Sequence, residues 1–236
     1  AIAQSLLGGE RKAVLLGNAA AQHPQADDLL ALANWIAEQT GASVGYLGEA
    51  GHSVGAQLVG AQPQQGGLDA GQMLAQPRKA YLLLHAEIEL DGHAAHAAMA
   101  AMQAAELVVA MSPFKHRALE YAQVLLPVAP FTETAGTFVN TEGRIQGFQG
   151  VVRPLGDTRP AWKVLRVLGT LMGVSGFDYD GIEQVRGDCM AAIGDVASRL
   201  SNEIAGEPLP VVPAAIAPSA VERIGEIPIY HVDAVV

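Results

Sequence analysis

Residues 80–127 read AYLLLHAEIELDGHAAHAAMAAMQAAELVVAMSPFKHRALEYAQVLLP. Three short runs in it, Ala80–His85, Glu106–Met111 and Val124–Pro127, are apolar at nearly every position rather than at alternate ones. A strand with one wet face alternates, whereas a strand buried on both faces does not; the second pattern marks a parallel sheet covered by helices. Between the first two runs, Asp91 is placed to cap an Ala- and Met-rich helix reaching about Gln103. Lys115–Tyr121 predicts a short helix between the second run and the third. Strands alternating with helices in this way predict an α/β fold.

The same grammar extends upstream. Lys12–Gly17 (KAVLLG) reads as a buried strand ending in glycine. Pro24 opens a helical pattern in which Leu29, Leu32, Ala33 and Ile36 fall three and four apart, and Gly41 closes it. Val44–Leu47 is the next strand, Ser53–Val59 a short helix, and a Gln/Gly-rich loop follows through Ala61–Gly67. Residues 1–128 are therefore expected to form a doubly wound, mostly parallel, Rossmann-like α/β domain.

Downstream the composition changes. Residues 129–156 are Gly-rich with few helix formers, which predicts an irregular or hairpin-like connection. Pro160 starts a helix with Trp162, Leu165, Leu168 and Met172 on one stripe and Gly173 at its end. A second stripe, Ile193, Val196, Leu200 and Ile204, predicts another helix stopping at Gly206. Pro208, Pro210, Pro213 and Pro218 keep the next stretch extended. The chain stops at Asp233–Val236 with no closing signal, so residues 129–236 read as the Gly-rich, helical and Pro-rich part of a body truncated at its C-terminus.

Bulk properties narrow the function. The 236 residues carry 14 Lys+Arg against 24 Asp+Glu, a net charge of −10 that argues against binding to nucleic acid. Half the residues are apolar, enough for a sizeable core. The one cysteine, Cys189, can make neither an internal disulfide nor a Cys-rich zinc or iron–sulfur site. No apolar run approaches the roughly 18 residues of a membrane span, and the first residues lack the layout of a signal peptide, so a soluble cytoplasmic chain is expected.

Several local patterns suggest chemistry. Gly51-His52-Ser53-Val54-Gly55 matches the G-x-S-x-G nucleophile elbow, and Asp91 or Asp157 followed by His231 supplies the order of a serine hydrolase triad. The plainer reading is a Gly-rich strand-to-helix turn. That turn, and Gly17-Asn18 after the first strand, stand where a sheet's carboxyl edge holds ligands. His93 and His96 lie three apart near His85, spacing that suits either metal ligands or solvated helix residues. Asp178–Glu183 (DYDGIE) resembles a calcium loop only superficially, because its glycine comes too early. Met99, Met102 and Met111 read as packing residues, and Cys189 has no cationic neighbour in sequence to activate it. Glu133, Glu142 and Arg144 are the charges of the Phe131–Phe148 segment, where carboxylate–guanidinium pairing would have a structural role.

The block Val124–Gln146, VLLPVAPFTETAGTFVNTEGRIQ, resembles a segment of molybdopterin-type oxidoreductases in which a strand ending in LP precedes E-x-x-G-T-F-x-N-x-E-G-R-x-Q. With Val152–Leu168 (VRPLGDTRPAWKVLRVL), it is most similar to the large iron–sulfur subunit of bacterial NADH:quinone oxidoreductase, respiratory complex I. Leu15–Pro24, His52–Ala56 and Glu226–Val236 add to the resemblance, although that family usually shows Asn where His52 stands. The resemblance implies a fragment of a longer subunit whose missing N-terminal region carries the 4Fe-4S and 2Fe-2S clusters. This part would hold no cofactor or metal and have no catalytic residue. Gly17, Asn18 and Ser53 would be vestiges of a pterin site, with retained nucleotide binding as the alternative. Glu133, Asn140, Glu142 and Arg144 would be structural. The implied partners are the other peripheral-arm subunits and the missing iron–sulfur region, on the cytoplasmic side of the inner membrane. Trp162, the strip Glu207–Pro218 and Val235–Val236 are the expected former interface.

Overall fold

The computed structural model describes residues 2–199 apart from 22, 24, 49, 92 and 93. The expected helix start at Pro24, His93, Leu200, Ile204, Gly206, His231 and the Pro-rich tail lie outside the described residues. The described residues form two compact units: those within 2–54, Val139–Arg144 and 195–199 in the first, and those within Gly55–Phe138 and Ile145–Gly194 in the second.

The first unit runs α1 (Ile2–Gly8), β1 (Ala13–Leu16), α2 (Asn18–Ala21), α3 (Ala26–Thr40), β2 (Ser43–Tyr46) and the start of α4 (Ser53–Leu58). β1 and β2 pair parallel, from Ala13 opposite Ser43 to Leu16 opposite Tyr46. The crossover helix α3 packs on both strands and buries Ala31 and Ala33, small residues that let it approach closely. Asp27 and Asp28 sit in its first turn, where the helix dipole favours negative charge. Gly41 ends it as predicted, in the left-handed conformation (φ 70°), with its N–H donating to the Ala37 carbonyl. Lys12 Nζ donates to the Thr40 carbonyl and ties that end to the start of β1.

The second unit runs α5 (Ala70–Ala75), β3 (Ala80–Leu84), α6 (Ile88–Asp91), α7 (Ala95–Ala104), β4 (Leu107–Ser112), β5 (Val124–Pro127), β6 (Gly136–Val139, whose last residue belongs to the first unit), β7 (Ile145–Phe148), α8 (Ala161–Leu171) and α9 (Ile182–Ile193). Single 3₁₀ turns cover Arg117–Glu120 and Phe131–Glu133. Strands β3, β4 and β5 form a parallel sheet in that order, and a parallel bridge from Val128 to Arg159 extends it. β6 and β7 pair as the hairpin-like connection expected in the Gly-rich segment. The predicted α/β class, with parallel strands joined through helices, is what the chain adopts.

Alternation along these strands sends Tyr81, Val108, Ala110 and Leu125 to one face, where they pack with Ala101 and Met102 of α7 into the core of the unit. The opposite face carries the cross-strand rows Leu82–Val109–Val124 and Leu84–Met111–Leu126. Met111 is buried, but Leu82, Leu84 and Val124 remain 47%, 41% and 39% exposed. Parallel sheets are ordinarily covered on both faces, so this apolar face is only half clothed.

Four expectations need correction. Asp91 does not cap the Ala/Met helix: it ends α6, and its carboxylate accepts the Glu87 N–H at 2.6 Å, while α7 starts at Ala95 with no side-chain cap. The expected helix does not start at Ile193: α9 spans Ile182–Ile193 and stops at Gly194, only a 3₁₀ turn follows at Ala197–Arg199, and the rest of the stripe lies outside the described residues. Lys115–Tyr121 makes only a 3₁₀ turn, held by His116 Nδ1 accepting the Ala118 N–H. Met172, expected on the buried stripe of α8, follows the last helical residue and is 70% exposed.

Candidate functional site

Each parallel ladder has a carboxyl edge, where strand carbonyls and the following turns leave room for a ligand. At the edge of the β1–β2 ladder, Leu47 N–H donates to the Leu16 carbonyl and the chain then turns away. The Gly17 carbonyl accepts from the N–H groups of Ala20 and Ala21, which opens α2 at Asn18. No heavy atom lies within 4 Å of where a Gly17 Cβ would stand, and its backbone is not left-handed. Neither packing nor conformation demands glycine at that position.

Ser53, the first residue of α4, is exposed, and its Oγ donates to the Ala50 carbonyl at 3.2 Å. Among the described residues only Gln65 and His85 hold positive φ without being glycine, so Ser53 lacks the strained turn of a nucleophile elbow. His52 Nδ1 accepts the Val139 N–H at 3.1 Å and links this turn to the β6–β7 hairpin tip. Gly17 and Asn18 thus follow β1, and Ser53 opens the helix that follows β2. The hydrolase partners do not join them: the Asp91 carboxylate holds its own turn, and His231 lies outside the described residues.

At the hairpin tip, Asn140 Oδ1 accepts the N–H groups of both Glu142 (3.1 Å) and Arg144 (2.9 Å), so this asparagine shapes the turn. The Glu133 carboxylate accepts the Leu155 N–H at 2.9 Å. Among the described residues no ion pair joins Glu133, Glu142 or Arg144, and backbone N–H groups take the Glu133 carboxylate and Asn140 amide oxygens instead. Trp162 is partly exposed, with Lys163 Nζ 5.5 Å from the centre of its ring. Met102 and Met111 are buried and Met99 packs against the same core, as packing residues should. DYDGIE leads into α9, where the Tyr179 hydroxyl donates to the Asp188 carboxylate.

The edge of the β3–β4–β5 sheet holds a cluster that sequence reasoning did not single out. His85, in the left-handed conformation (φ 50°), turns the chain at the end of β3 while its N–H still donates to the Met111 carbonyl. Glu87 and Glu89 follow it, and His116 follows the adjacent strand β4. One ligand atom from each of the three lies within 4.8 Å of the others. The side chains of Glu89 and His116 are 5% and 9% exposed, with Oε1 and Nδ1 3.8 Å apart. The Tyr121 hydroxyl donates to the other Glu89 oxygen at 3.4 Å. Burial first, and then the Glu89 charge, pushes the Tyr121 phenol well above its ordinary range. A readable signal existed, since both acidic residues and the histidine directly follow predicted neighbouring strands.

Residues 1–171 match the sequence profile of the molybdopterin oxidoreductase family. The chain belongs to that family. Over 89 residues it is 36% identical to the mitochondrial NADH-ubiquinone oxidoreductase 78 kDa subunit of Candida albicans, a stretch that is 38% of this chain and 12% of that subunit. Over 81 residues it is 37% identical to a Staphylococcus aureus (strain USA300) protein named "Putative formate dehydrogenase", covering 34% of this chain and 8% of that protein. The matched stretches are thus small parts of much longer relatives.

Membership of the molybdopterin family implies a phosphate-bearing pterin, and the described edges offer it few positive groups. At the β3–β4–β5 edge the convergent groups are the Glu87 and Glu89 carboxylates, which repel phosphate. Arg117, the guanidinium beside His116, is already committed to Glu120 at 3.0 Å. At the β1–β2 edge the turns after the strands, residues 17–21 and 47–53, contain no lysine or arginine, so only backbone N–H groups and uncharged side chains could meet a phosphate there. No helix of the described residues is long and apolar enough to cross a membrane.

Proposed function

We propose that this chain is a cofactor-free scaffold portion of the large iron–sulfur subunit of an NADH:quinone oxidoreductase. In that complex, electrons would pass from NADH through iron–sulfur clusters outside this chain to quinone. The observation that carries this reading is the half-open leucine face of the β3–β4–β5 sheet, with Leu82 and Leu84 exposed by 47% and 41%. Apolar surface of this kind marks a contact with another body. The likeness to the Candida subunit supports the choice of complex, and the acidic carboxyl edge supports the absence of a pterin. The chain's work is then mechanical: it braces the cluster-bearing region and contacts other peripheral-arm subunits on the cytoplasmic side of the inner membrane.

The test takes the purified chain as it stands. Iron analysis should find none, visible absorption should show no charge-transfer band, and guanine nucleotide should not raise the melting temperature. A tagged chain should retain the peripheral arm of the same organism's NADH:quinone oxidoreductase, and Leu82→Ser with Leu84→Ser should release it. Bound iron, a pterin-like spectrum or failure to retain the arm would refute the proposal.

A further inference from the structure

The carboxyl edge of the β3–β4–β5 sheet gathers two carboxylates and an imidazole, and the neighbouring guanidinium, Arg117, acts on Glu89 only through space because it is paired with Glu120 at 3.0 Å. Glu89 is nearly buried, and the hydrogen bond that it accepts from Tyr121 is long, at 3.4 Å. His116 offers it little, because Nδ1 accepts the Ala118 N–H at 3.2 Å and so has no proton to give to Glu89 Oε1, 3.8 Å away. Glu87 completes a set of three electron-rich groups within 4.8 Å. Burying a carboxylate without compensation is costly, and the deficit here has a sign that a cation satisfies.

We propose that Glu87, Glu89 and His116 bind one divalent cation of the zinc, manganese or cobalt class. One imidazole with two carboxylates and no thiolate suits these borderline ions. Metal–ligand bonds of about 2.1 Å place neighbouring donor atoms roughly 3.4 Å apart in a tetrahedral site. The 3.8 Å between His116 Nδ1 and Glu89 therefore closes by only a few tenths of an ångström on binding. Ligation through Nδ1 displaces the Ala118 N–H that caps the 3₁₀ turn, which keeps the affinity below that of a structural zinc site. The outer contacts are already in place: the Asp91 carboxylate holds the Glu87 N–H at 2.6 Å, and the Tyr121 hydroxyl orients Glu89. The ligands come from the segments after two adjacent parallel strands, Glu89 from α6 and Glu87 and His116 from the turns, so the fold sets their spacing.

Calorimetric titration of the chelator-stripped chain with zinc chloride alone tests the site. One equivalent should bind. Glu87→Gln and His116→Gln should each weaken binding more than about 100-fold, whereas Tyr121→Phe, which removes only an orienting contact, should weaken it about 10–100-fold. His96→Gln, on α7, should change nothing. No binding to the wild-type chain, or binding that survives both ligand substitutions, would overturn the proposal. Zinc K-edge X-ray absorption of the wild-type complex does not depend on how the variants fold. It should show a single imidazole among oxygen donors, and a sulfur donor or a second imidazole would overturn the site.

Discussion

At Gly136 the backbone passes so close to Phe148 that an added Cβ would stand 2.5 Å from the ring's Cζ. That ring stacks on Phe138 with centroids 5.1 Å apart, so it has little freedom to retreat. Gly136→Ala should therefore cost about 1–3 kcal/mol, the usual scale of overpacking, in urea unfolding. Gly17→Ala, whose methyl group would meet nothing, should change stability by less than about 0.5 kcal/mol. Equal effects at the two sites would disprove the packing argument. Tyr121 makes a different demand. Its phenol is held protonated in the folded chain at pH values where the unfolded chain, with a pKa of about 10, has released the proton. The stabilisation is complete below that pH and drains away as pH climbs towards the folded value. Tyr121→Phe should flatten the alkaline decline in unfolding free energy above about pH 10, and an unchanged slope would assign the decline to other groups.

At the scale of elements, the strands were the most legible part of the chain. β3, β4 and β5 each appear as a short run of apolar residues, because burial against helices leaves little room for polar side chains. Helix ends were less legible where side-chain chemistry had two uses. Asp91 has the composition of a cap, yet its carboxylate folds back onto the Glu87 N–H. Helix α5 was hidden in a Gln- and Gly-rich region, although its start carries a readable signature. Asp69 accepts the Gln72 N–H at 2.7 Å while the Gln72 side chain accepts the Asp69 N–H at 3.1 Å. Asp69→Ala should cost about 0.5–2 kcal/mol in urea unfolding. No loss would mean that α5 is held by packing and not by its cap.

Across the whole molecule, the expected site residues were legible to the extent that they follow strands. Order alone places Gly17 and Asn18 after β1 and Ser53 at the start of the helix after β2. The Glu87, Glu89 and His116 cluster was harder to foresee, because only the β3–β4 register brings loops so far apart in sequence together. The pairing expected of Glu133, Glu142 and Arg144 failed for the converse reason: proximity along the chain says nothing about which backbone N–H will claim an oxygen first. Under the proposed role, Leu82 and Leu84 also tie the lifetime of this polypeptide to stoichiometry. A copy made in excess of its neighbours keeps a greasy flank in water, and it is the first to clump or to be cleared by proteolysis. Assembly thus protects the chain and rations it at once.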